Sequence, residues 1–355
     1  MAESLENPRS AQKAGAVDRY SEAGVDVAAG NEAVARYRDV LGEWRHPAQL
    51  DAIGGFAGVF RLPGESDTAL VASTDGVGTK LLIAGELERY DGVGRDLVHH
   101  CINDILVCSA TPLFFLDYLA VGKLRPDVAA EIVRSCALAC RAHDCALLGG
   151  ETAEMPGLYA RDHFDLAGTI VGMVNVDTLP DPESVEAGDA IIGLPAVGLH
   201  TNGYSLARAL IPRAQWDDRF AERTYADALL EEHPSYYRAV RAIEAVATVK
   251  AMAHITGGGL LENVPRTLPL NAKAIFEQQR WSVPPIMREL IRRGDLGVEE
   301  RYRVFNMGVG YTLVVPLPDA PAALAAAPGA KVVGWIESRT GDGPQVIIHP
   351  SRDDA

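Results

Sequence analysis

The stretch Thr74-Asp75-Gly76-Val77-Gly78-Thr79-Lys80 connects a short apolar run at residues 69–73 to a run with helical spacing at residues 81–88. This order predicts a strand, a glycine loop and a helix. Free backbone N–H groups at the start of such a helix, together with the helix dipole, favour an anion. The glycines would let the backbone approach a phosphate closely, and Lys80 could add a positive charge. Taken alone, the segment is more typical of an ordinary strand-to-helix turn than of a binding site.

Two familiar nucleotide-binding motifs do not fit this loop. A P-loop is excluded because the order is Gly-Thr-Lys and no glycine stands five residues before Gly78. A dinucleotide fingerprint is excluded because Leu81 stands where the third glycine is needed. The sequence therefore disfavours an NAD-dependent dehydrogenase.

Strands and helices alternate on both sides of a polar boundary at residues 175–188, which contains two prolines and several acidic residues. Before the boundary, apolar spacing predicts helices at 96–108 and 127–143 and strands at 113–120, 146–148 and 166–174. After it, the spacing predicts strands at 190–194, 272–276 and 311–316 and helices at 204–211 and 235–246. This pattern predicts a mixed α/β protein of α+β type, divided into an N-terminal segment (1–50) and two domains (51–175 and 176–355).

Composition narrows the class of function. The chain has 355 residues, 48% of them hydrophobic, and a formal net charge of −15. Lys and Arg are scattered rather than grouped in a stripe, so we expect no nucleic-acid partner. No apolar run approaches the length of a membrane span, and the five cysteines, all between residues 101 and 145, are expected to be reduced. These features predict a cytoplasmic protein.

Asn103 and Asp104 interrupt an otherwise apolar helical run. Because an unpaired buried carboxylate is costly, Asp104 should pair with a cation, face a cleft or lie on the solvent side. If Asp75 and Asp104 converge, their hard oxygens would suit Mg²⁺ beside nucleotide phosphates.

Three further segments could contribute to a site. They are Gly-Gly-Glu-Thr-Ala-Glu-Met-Pro-Gly at 149–157, Leu-His-Thr-Asn-Gly-Tyr-Ser at 199–205 and His-Ile-Thr-Gly-Gly-Gly at 254–259. The first predicts a bare loop after a strand, with a carboxylate and a hydroxyl at its rim. The last two predict loops that enter helices, and the last could hold a second anion. A plain turn, a capped surface histidine and a structural glycine loop are the respective alternatives.

The joint order of these segments is more specific than any one of them. An Ala-Gly-Val-Asp opening at 23–26 and Ala-Gly-Asn at 29–31 precede Gly-Gly-Phe at 54–56 and the glycine loop at 75–80. Asn103-Asp104, the three segments above and Glu-Asn-Val-Pro-Arg at 262–266 follow. The order resembles the phosphoribosylformylglycinamidine cyclo-ligase family, also called aminoimidazole ribonucleotide synthetases. The resemblance covers residues 20–348 and leaves out the first nineteen residues and the acidic tail at Asp353 and Asp354.

The resemblance implies an activity in de novo purine biosynthesis. Members of this family use ATP to close formylglycinamidine ribonucleotide to aminoimidazole ribonucleotide, with release of ADP and phosphate, through a phosphorylated amide. It also implies a homodimer built on the sheet of the N-terminal domain and a cleft that the C-terminal domain closes. The segment 1–50 would be partly mobile and pack near the active site.

The resemblance also implies roles for individual residues. Catalysis would involve His200 in proton transfer, together with Lys80 and Asp104. Mg²⁺ would be held by Asp75, Asp104 and Glu151. ATP would contact Asp75, Gly76, Val77, Gly78, Thr79, Lys80 and Asn103. The ribonucleotide would contact Gly150, Glu151, Thr152, His200, Asn202, Ser205, Gly257, Gly258 and Gly259.

Other interpretations predict different features. Selenophosphate synthetases usually have a reactive Cys or selenocysteine before the glycine loop, and this chain has no Cys before Cys101. Thiamine-monophosphate kinases lack the opening at 23–31, and formylglycinamidine ribonucleotide synthetases are much longer or need a glutaminase partner. A non-catalytic nucleotide-binding module would have no need to keep the whole set of site residues.

Overall fold

The computed structural model describes residues 19–42, 46–50, 55–64 and 67–351. Most of the N-terminal extension, Gly54 and the acidic tail lie outside these ranges. The helices α1 (Arg19–Glu22) and α2 (Val27–Gly42) come first. The hydroxyl of Tyr20 on α1 accepts a hydrogen bond from the backbone of Gly203, so α1 contacts the loop that contains His200.

The first half of the chain forms a five-stranded sheet in the order β1-β2-β5-β3-β4. Its strands are β1 (Gly58–Arg61), β2 (Thr68–Gly76), β3 (Thr111–Val121), β4 (Ala146–Glu154) and β5 (Phe164–Asn175). Its helices are α3 (Lys80–Glu86), α4 (Val93–Leu106) and α5 (Pro126–Ala142). Only β3 and β4 run parallel, and the other pairs are antiparallel.

Helices α4 and α5 cover one face of this sheet. Leu97, Cys101 and Ile105 follow one another at helical spacing on α4 and are fully buried. In α5, Pro126 occupies the first turn, where proline needs no hydrogen-bond donor. The predicted reduced helix-core cysteines are confirmed, because Cys136 and Cys140 are free thiols buried on α5.

The opposite face of the same sheet has no helix over it among the described residues. Phe60, Leu116, Tyr118 and Met173 are each 36–41% exposed. Residues that are directly paired on neighbouring strands point to the same side of a sheet. Leu116 is paired with Thr169, Thr169 with Thr74, and Tyr118 with Glu151, so these five side chains lie on this face. We call it the open sheet face.

The second half forms a six-stranded sheet in the order β13-β10-β12-β6-β11-β9, with a two-stranded β7-β8 ribbon. Its strands are β6 (Ala190–Pro195), β7 (Arg219–Phe220), β8 (Arg223–Thr224), β9 (Ala251–His254), β10 (Ala272–Glu277), β11 (Val309–Val315), β12 (Lys331–Ser338) and β13 (Val346–His349). Its helices are α6 (Tyr204–Leu210), α7 (Tyr225–Leu229), α8 (Tyr237–Glu244), α9 (Gly259–Asn263), α10 (Pro285–Gly294), α11 (Val298–Val304) and α12 (Ala320–Ala326). The predicted mixed α/β class is confirmed.

One predicted element is wrong. The sequence predicted that the strand at 146–148 ends in a glycine loop, but β4 continues to Glu154. Its residues from Gly149 onward pair in parallel with β3, as far as Glu154 opposite Val121. The neighbouring strand therefore supplies hydrogen-bond partners that a glycine-rich segment does not reveal by itself.

Candidate active site

Three of the predicted loops converge at the boundary between the two halves. Thr79 Oγ1 at the end of the first glycine loop lies 3.3 Å from Ser205 Oγ at the start of α6. A side-chain carbon added at Gly257 would lie 3.3 Å from Asn202 Oδ1, so the third loop borders the second. Gly78, Thr79 and Gly257 are exposed. The structure therefore brings together, on one accessible rim, parts of the sequence that are up to 180 residues apart.

Asp75 and Asp104 meet at the same imidazole. His100 Nε2 on α4 lies 3.0 Å from Asp75 Oδ2 and 3.8 Å from Asp104 Oδ2. Burial by itself would lower the pKa of His100, but the two carboxylates raise it to about 9. Burial would likewise raise the pKa of Asp75, and the attraction and hydrogen bond of His100 outweigh this and lower it. At neutral pH this part of the site is an ion pair.

Asp104 is buried, and the structure resolves the choice that the sequence left open. Its Oδ1 atom lies 2.8 Å from His254 Nδ1, and its Oδ2 atom accepts a hydrogen bond from Ser73 Oγ. The carboxylate therefore pairs with histidines rather than facing solvent. Asp75, by contrast, keeps 40% of its side chain exposed.

Three further histidines form a series of contacts that leads from Asp104 into the protein interior. His254 Nε2 lies 3.1 Å from His233 Nε2, and the ring of His233 stacks on that of His200 with centroids 4.2 Å apart. His200, His233 and His254 are all buried. Burial, and after it the neighbouring imidazoles, lower the pKa values of His200 and His233 well below the ordinary value. Both rings are therefore neutral at pH 7.

Lys80 does not reach the rim of the glycine loop. Its side chain is 1% exposed, and Nζ lies 2.5 Å from Asp96 Oδ2 on α4 and donates to the carbonyl of Glu231. Asn103 is equally enclosed, because its amide donates to the carbonyl of Pro234 and accepts from the backbone of Tyr236. The predicted contacts of Lys80 and Asn103 with ATP would require both side chains to leave these partners.

These contacts belong to a larger clasp between α4 and residues 231–236. Asp96 Oδ1 accepts from the backbone N–H of His233, and His99 Nδ1 donates to the carbonyl of His233. Arg95 adds an ion pair with Glu232 at 2.6 Å. Because most of these bonds involve backbone atoms of residues 231–236, the clasp fixes the position of that segment relative to the first sheet.

Glu151 lies far from Asp75 and Asp104. Across the sheet, Asp75 is paired with Gly168, Gly168 with Asp117, and Asp117 with Gly150. Asp75 and Gly150, which precedes Glu151, are therefore three strand spacings apart, about 14 Å. Glu151 also points to the open sheet face, whereas Asp75 points to α4. The structure does not bring Glu151, or the adjacent Gly150 and Thr152, to the Asp75–Asp104 pair within one chain. Their predicted roles receive no support from the geometry of one chain.

Sequence reasoning missed His233 entirely and gave His100 no role. His233 is in no glycine-rich motif, and its hydrogen bonds with Asn103 and Asp96 reach back more than 100 positions. A usable signal was present for His100, because it stands one helical turn before Asp104 and on the same side of α4.

Comparisons with known proteins match both halves. The family model described as AIR synthase related protein, N-terminal domain, matches residues 54–174, and the corresponding C-terminal domain model matches residues 186–347. A phosphoribosylformylglycinamidine cyclo-ligase of Myxococcus xanthus is 44% identical over 342 residues, which cover 92% of this chain and 98% of the relative. The chain belongs to the phosphoribosylformylglycinamidine cyclo-ligase family.

Another cyclo-ligase of this family, from Anaeromyxobacter dehalogenans, is 47% identical and covers 89% of this chain and 93% of the relative. Solved structures extend the likeness of fold beyond the cyclo-ligase family. E. coli HypE, a hydrogenase maturation protein, has a TM-score of 0.59 at 18% identity, with 91% of this chain and 93% of that chain covered. Thiamine monophosphate kinase from Aquifex aeolicus has a TM-score of 0.57 at 12% identity, with 89% and 97% covered. Among the described residues, no helix combines the length and apolar character needed to cross a membrane.

Proposed function

We propose that this chain catalyses the ATP-dependent closure of formylglycinamidine ribonucleotide to aminoimidazole ribonucleotide, with release of ADP and phosphate, in purine biosynthesis in the cytoplasm. Membership of the cyclo-ligase family over nearly the whole chain is the observation that carries this proposal. The thiamine-monophosphate kinase alternative has a likeness of fold alone, at 12% identity. ATP as co-substrate agrees with a fold neighbour, the hydrogenase maturation protein HypE, that was solved in complex with ATP.

The reaction needs an activated leaving group, because an amide oxygen leaves poorly. ATP would phosphorylate the formyl oxygen, the amidine nitrogen would attack the activated carbon, and phosphate would depart. The exposed backbone of Gly78 and Thr79 offers N–H groups at the rim, where a phosphate could be bound. Asn202, Ser205 and Gly257 lie on the same rim and are the proposed contacts of the ribonucleotide.

Mg²⁺ fits part of the donor set. Asp75 is a half-exposed, ionised carboxylate at the rim, which is the kind of hard oxygen ligand that Mg²⁺ uses. Both oxygens of Asp104 already have partners in His254 and Ser73. When bound, Mg²⁺ would supply charge neutralisation for the nucleotide phosphates. Asp75 would contact the ion. Asp104 would not contact it directly but would hold His100 and His254 in place.

His200 is the proposed proton-transfer group. Its backbone has φ +62°, an unusual conformation for a residue other than glycine, and its ring is buried against His233. A neutral imidazole can accept the proton that the amidine nitrogen loses on ring closure. The lowered pKa of His200 leaves the ring neutral, which excludes a permanently charged donor and leaves a lone pair that can accept a proton.

We also propose a homodimer that buries the open sheet face. Phe60, Leu116, Tyr118 and Met173 lie on three strands of one sheet, β1, β3 and β5, and form an apolar band on its open face. A second copy of the same face would remove this band from water. In such a dimer Glu151, which lies on this face, would be near the partner chain.

The decisive experiment measures ADP release with Mg²⁺ and ATP present. The proposal expects release that depends strictly on formylglycinamidine ribonucleotide, and none with thiamine monophosphate. His200→Asn should lower kcat by about 10²–10⁴-fold with little change in the KM for ATP. Phosphoryl transfer to thiamine monophosphate would contradict the proposed function, and a His200→Gln variant with wild-type kcat from pH 6 to 9 would remove His200 from the chemistry.

A further inference from the structure

We propose that His100 is a positioning residue that fixes the nucleotide side of the site relative to the ribonucleotide side. Its ring bonds to one residue of each side. Nε2 lies 3.0 Å from Asp75 Oδ2, the proposed Mg²⁺ ligand, and Nδ1 lies 2.7 Å from Thr201 Oγ1. Thr201 is adjacent to His200 and Asn202, which are proposed to act on the ribonucleotide. The inference rests on the proposed function, because it concerns the binding of the same two substrates.

The distances around the ring separate its hydrogen bonds from its packing contacts. Asp104 Oδ2 is 3.8 Å from His100 Nε2, which is beyond hydrogen-bond range, and both oxygens of Asp104 have closer partners. His233 and His254 contact the ring edge to face, with centroids 5.4 and 5.0 Å away, and restrict its rotation. The two direct bonds, rather than the charge of Asp104, therefore define what His100 holds in place.

On the nucleotide side, His100 orients a carboxylate that is partly open to solvent. Asp75 Oδ1 accepts a hydrogen bond from the backbone N–H of Gly76, 2.9 Å away, and Oδ2 accepts from His100. These bonds use one lone pair of each oxygen and fix the plane of the carboxylate. The other lone pairs remain available, because 40% of the side chain is exposed. Since Mg²⁺ demands near-ideal geometry, a ligand that is oriented in advance favours its binding.

On the ribonucleotide side, His100 holds the loop that follows β6. The hydroxyl of Thr201 is buried, accepts from His100 Nδ1 and also lies 3.5 Å from the amide nitrogen of Asn202. His200 and Gly203 in the same loop have φ values of +62° and +78°. A backbone with such values at a residue other than glycine persists only when surrounding contacts hold it. The bond from His100 is one of those contacts, and its loss would leave His200 and Asn202 less well placed.

The location of His100 in the fold agrees with this role. His100 belongs to α4 in the first half of the chain, whereas Thr201 lies 101 positions later in the second half. The clasp joins residues 231–236 to the same helix through other side chains, Asp96 and His99. A substitution at His100 can therefore alter both sides of the site while these bonds of the clasp remain.

The test separates the two bonds by substitution. The amide nitrogen of glutamine can take the place of Nε2, and that of asparagine can take the place of Nδ1, because the side chains reach to matching lengths. His100→Gln should keep Asp75 oriented and raise the KM for the ribonucleotide about 10-fold, as expected for one lost hydrogen bond. His100→Asn should keep the bond to Thr201. It should raise the Mg²⁺ concentration needed for half-maximal ADP release by about the same factor.

Thr201 provides an independent variant on the other side of the bond. Thr201→Val keeps the shape of the side chain but removes the acceptor, so it should reproduce the KM change of His100→Gln, and Thr201→Ser should restore the wild-type value. Because the two residues act through one bond, the double variant should raise this KM no further than either single variant. Val98→Ala shortens a fully buried side chain of α4 and is the control for a merely structural effect. It should lower the free energy of unfolding in urea and leave both constants unchanged.

Binding of Mg²⁺-ADP, measured by titration calorimetry, tests the role of His100 without turnover. His100→Asn should weaken this binding about 10-fold, and His100→Gln should not. A wild-type chain that binds Mg²⁺-ADP in this way but releases no ADP with formylglycinamidine ribonucleotide would contradict the proposed function alone. Equal effects of His100→Asn and His100→Gln on both sides, or an unaltered KM for the ribonucleotide in Thr201→Val, would overturn the positioning role. A wild-type chain that does not bind Mg²⁺-ADP would overturn both.

Discussion

His254 Nδ1 on the second sheet lies 2.8 Å from Asp104 Oδ1 on α4, across 150 positions of sequence. Through this contact the helix that covers the first sheet orients the histidines of the second. Asp104 accepts from Ser73 with its other oxygen, so one buried carboxylate joins β2, α4 and β9. A residue that the sequence predicts as a metal ligand is thus also a connection between the two halves.

Asp104→Asn is therefore expected to affect both stability and activity. The amide cannot reproduce the charged hydrogen bond to His254, so the free energy of unfolding should fall by about 1–3 kcal/mol, measured in urea. Turnover measured by ADP release should fall at least 100-fold. Asp91→Asn, which changes an aspartate whose side chain is 73% exposed, is the matched control. Near-normal turnover of Asp104→Asn at limiting Mg²⁺ would show that this carboxylate is not part of the machinery.

Lys80→Met tests the buried ion pair with Asp96. Removing the ammonium leaves a carboxylate buried without its charge partner, which should cost about 3–5 kcal/mol of unfolding free energy. Adding Asp96→Asn to the same chain should recover part of this loss. Arg125→Met, which breaks an exposed ion pair with Glu88, should cost about 0–1 kcal/mol. A Lys80→Met protein of normal stability but raised KM for ATP would support the phosphate role instead.

The raised pKa of His100 makes stability depend on pH. Its folded pKa of about 9 lies above the ordinary value of 6.5, so the stabilisation is fully present below pH 6.5 and is lost as the pH rises through 9. Between these limits the stability advantage of the wild type over His100→Gln should shrink by up to about 3 kcal/mol. Urea unfolding at pH 6, 7.5 and 9.5 measures this. The groups that face the ring are Asp75, Asp104, Thr201, His233 and His254. A constant advantage at all three pH values would show that His100 is neutral throughout.

Gly257 is a better position than Gly258 for testing whether the loop at 254–259 binds a second phosphate. Gly258 has φ +91° and an added side chain would meet Glu262 at 2.7 Å, so Gly258→Val combines strain with any loss of binding. Gly257 has no such constraint, and an added methyl group would meet only Asn202 Oδ1 at 3.3 Å. Gly257→Ala should raise the KM for the ribonucleotide more than the KM for ATP. Equal changes in both would indicate that the loop is structural.

The open sheet face predicts an oligomeric state. Replacing Tyr118 by Arg places a charge within the apolar band, which should convert a dimer into a monomer in light scattering coupled to gel filtration. Leu317→Arg alters a leucine that is 62% exposed on the other half of the chain and should leave the dimer intact. A wild-type chain that is already monomeric at micromolar concentration would contradict the proposed dimer.

Elements with strong local patterns could be predicted from the sequence. The spacing of Leu97, Cys101 and Ile105 predicted a helix at 96–108, and α4 spans Val93–Leu106. The predicted strand at 190–194 matches β6 because a continuous apolar run suits a strand in the middle of a sheet. Both features depend on neighbours within a few residues, which is the range at which a sequence pattern is informative.

The rest depends on distant contacts. The strand character of residues 149–154 comes from pairing with β3, and the importance of His233 comes from α4. Lys80 shows the same limit in another form. Its position after a glycine loop predicted a free positive charge, whereas Asp96, sixteen residues later, draws the side chain inward. Local order indicated where the site lies, and long-range pairing determined which side chains face it.

The clasp between α4 and residues 231–236 also has a consequence for the order in which the chain is made. Asn103 and its partner Tyr236 are 133 positions apart, so at about 5–20 residues per second on the order of ten seconds pass between their syntheses. During that interval Lys80, Asp96 and Asn103 lack the carbonyl and N–H groups that complete their shell. The first sheet therefore leaves the ribosome before these polar groups have all their hydrogen-bond partners. The half that is translated first reaches its final stability only after the other half has been made.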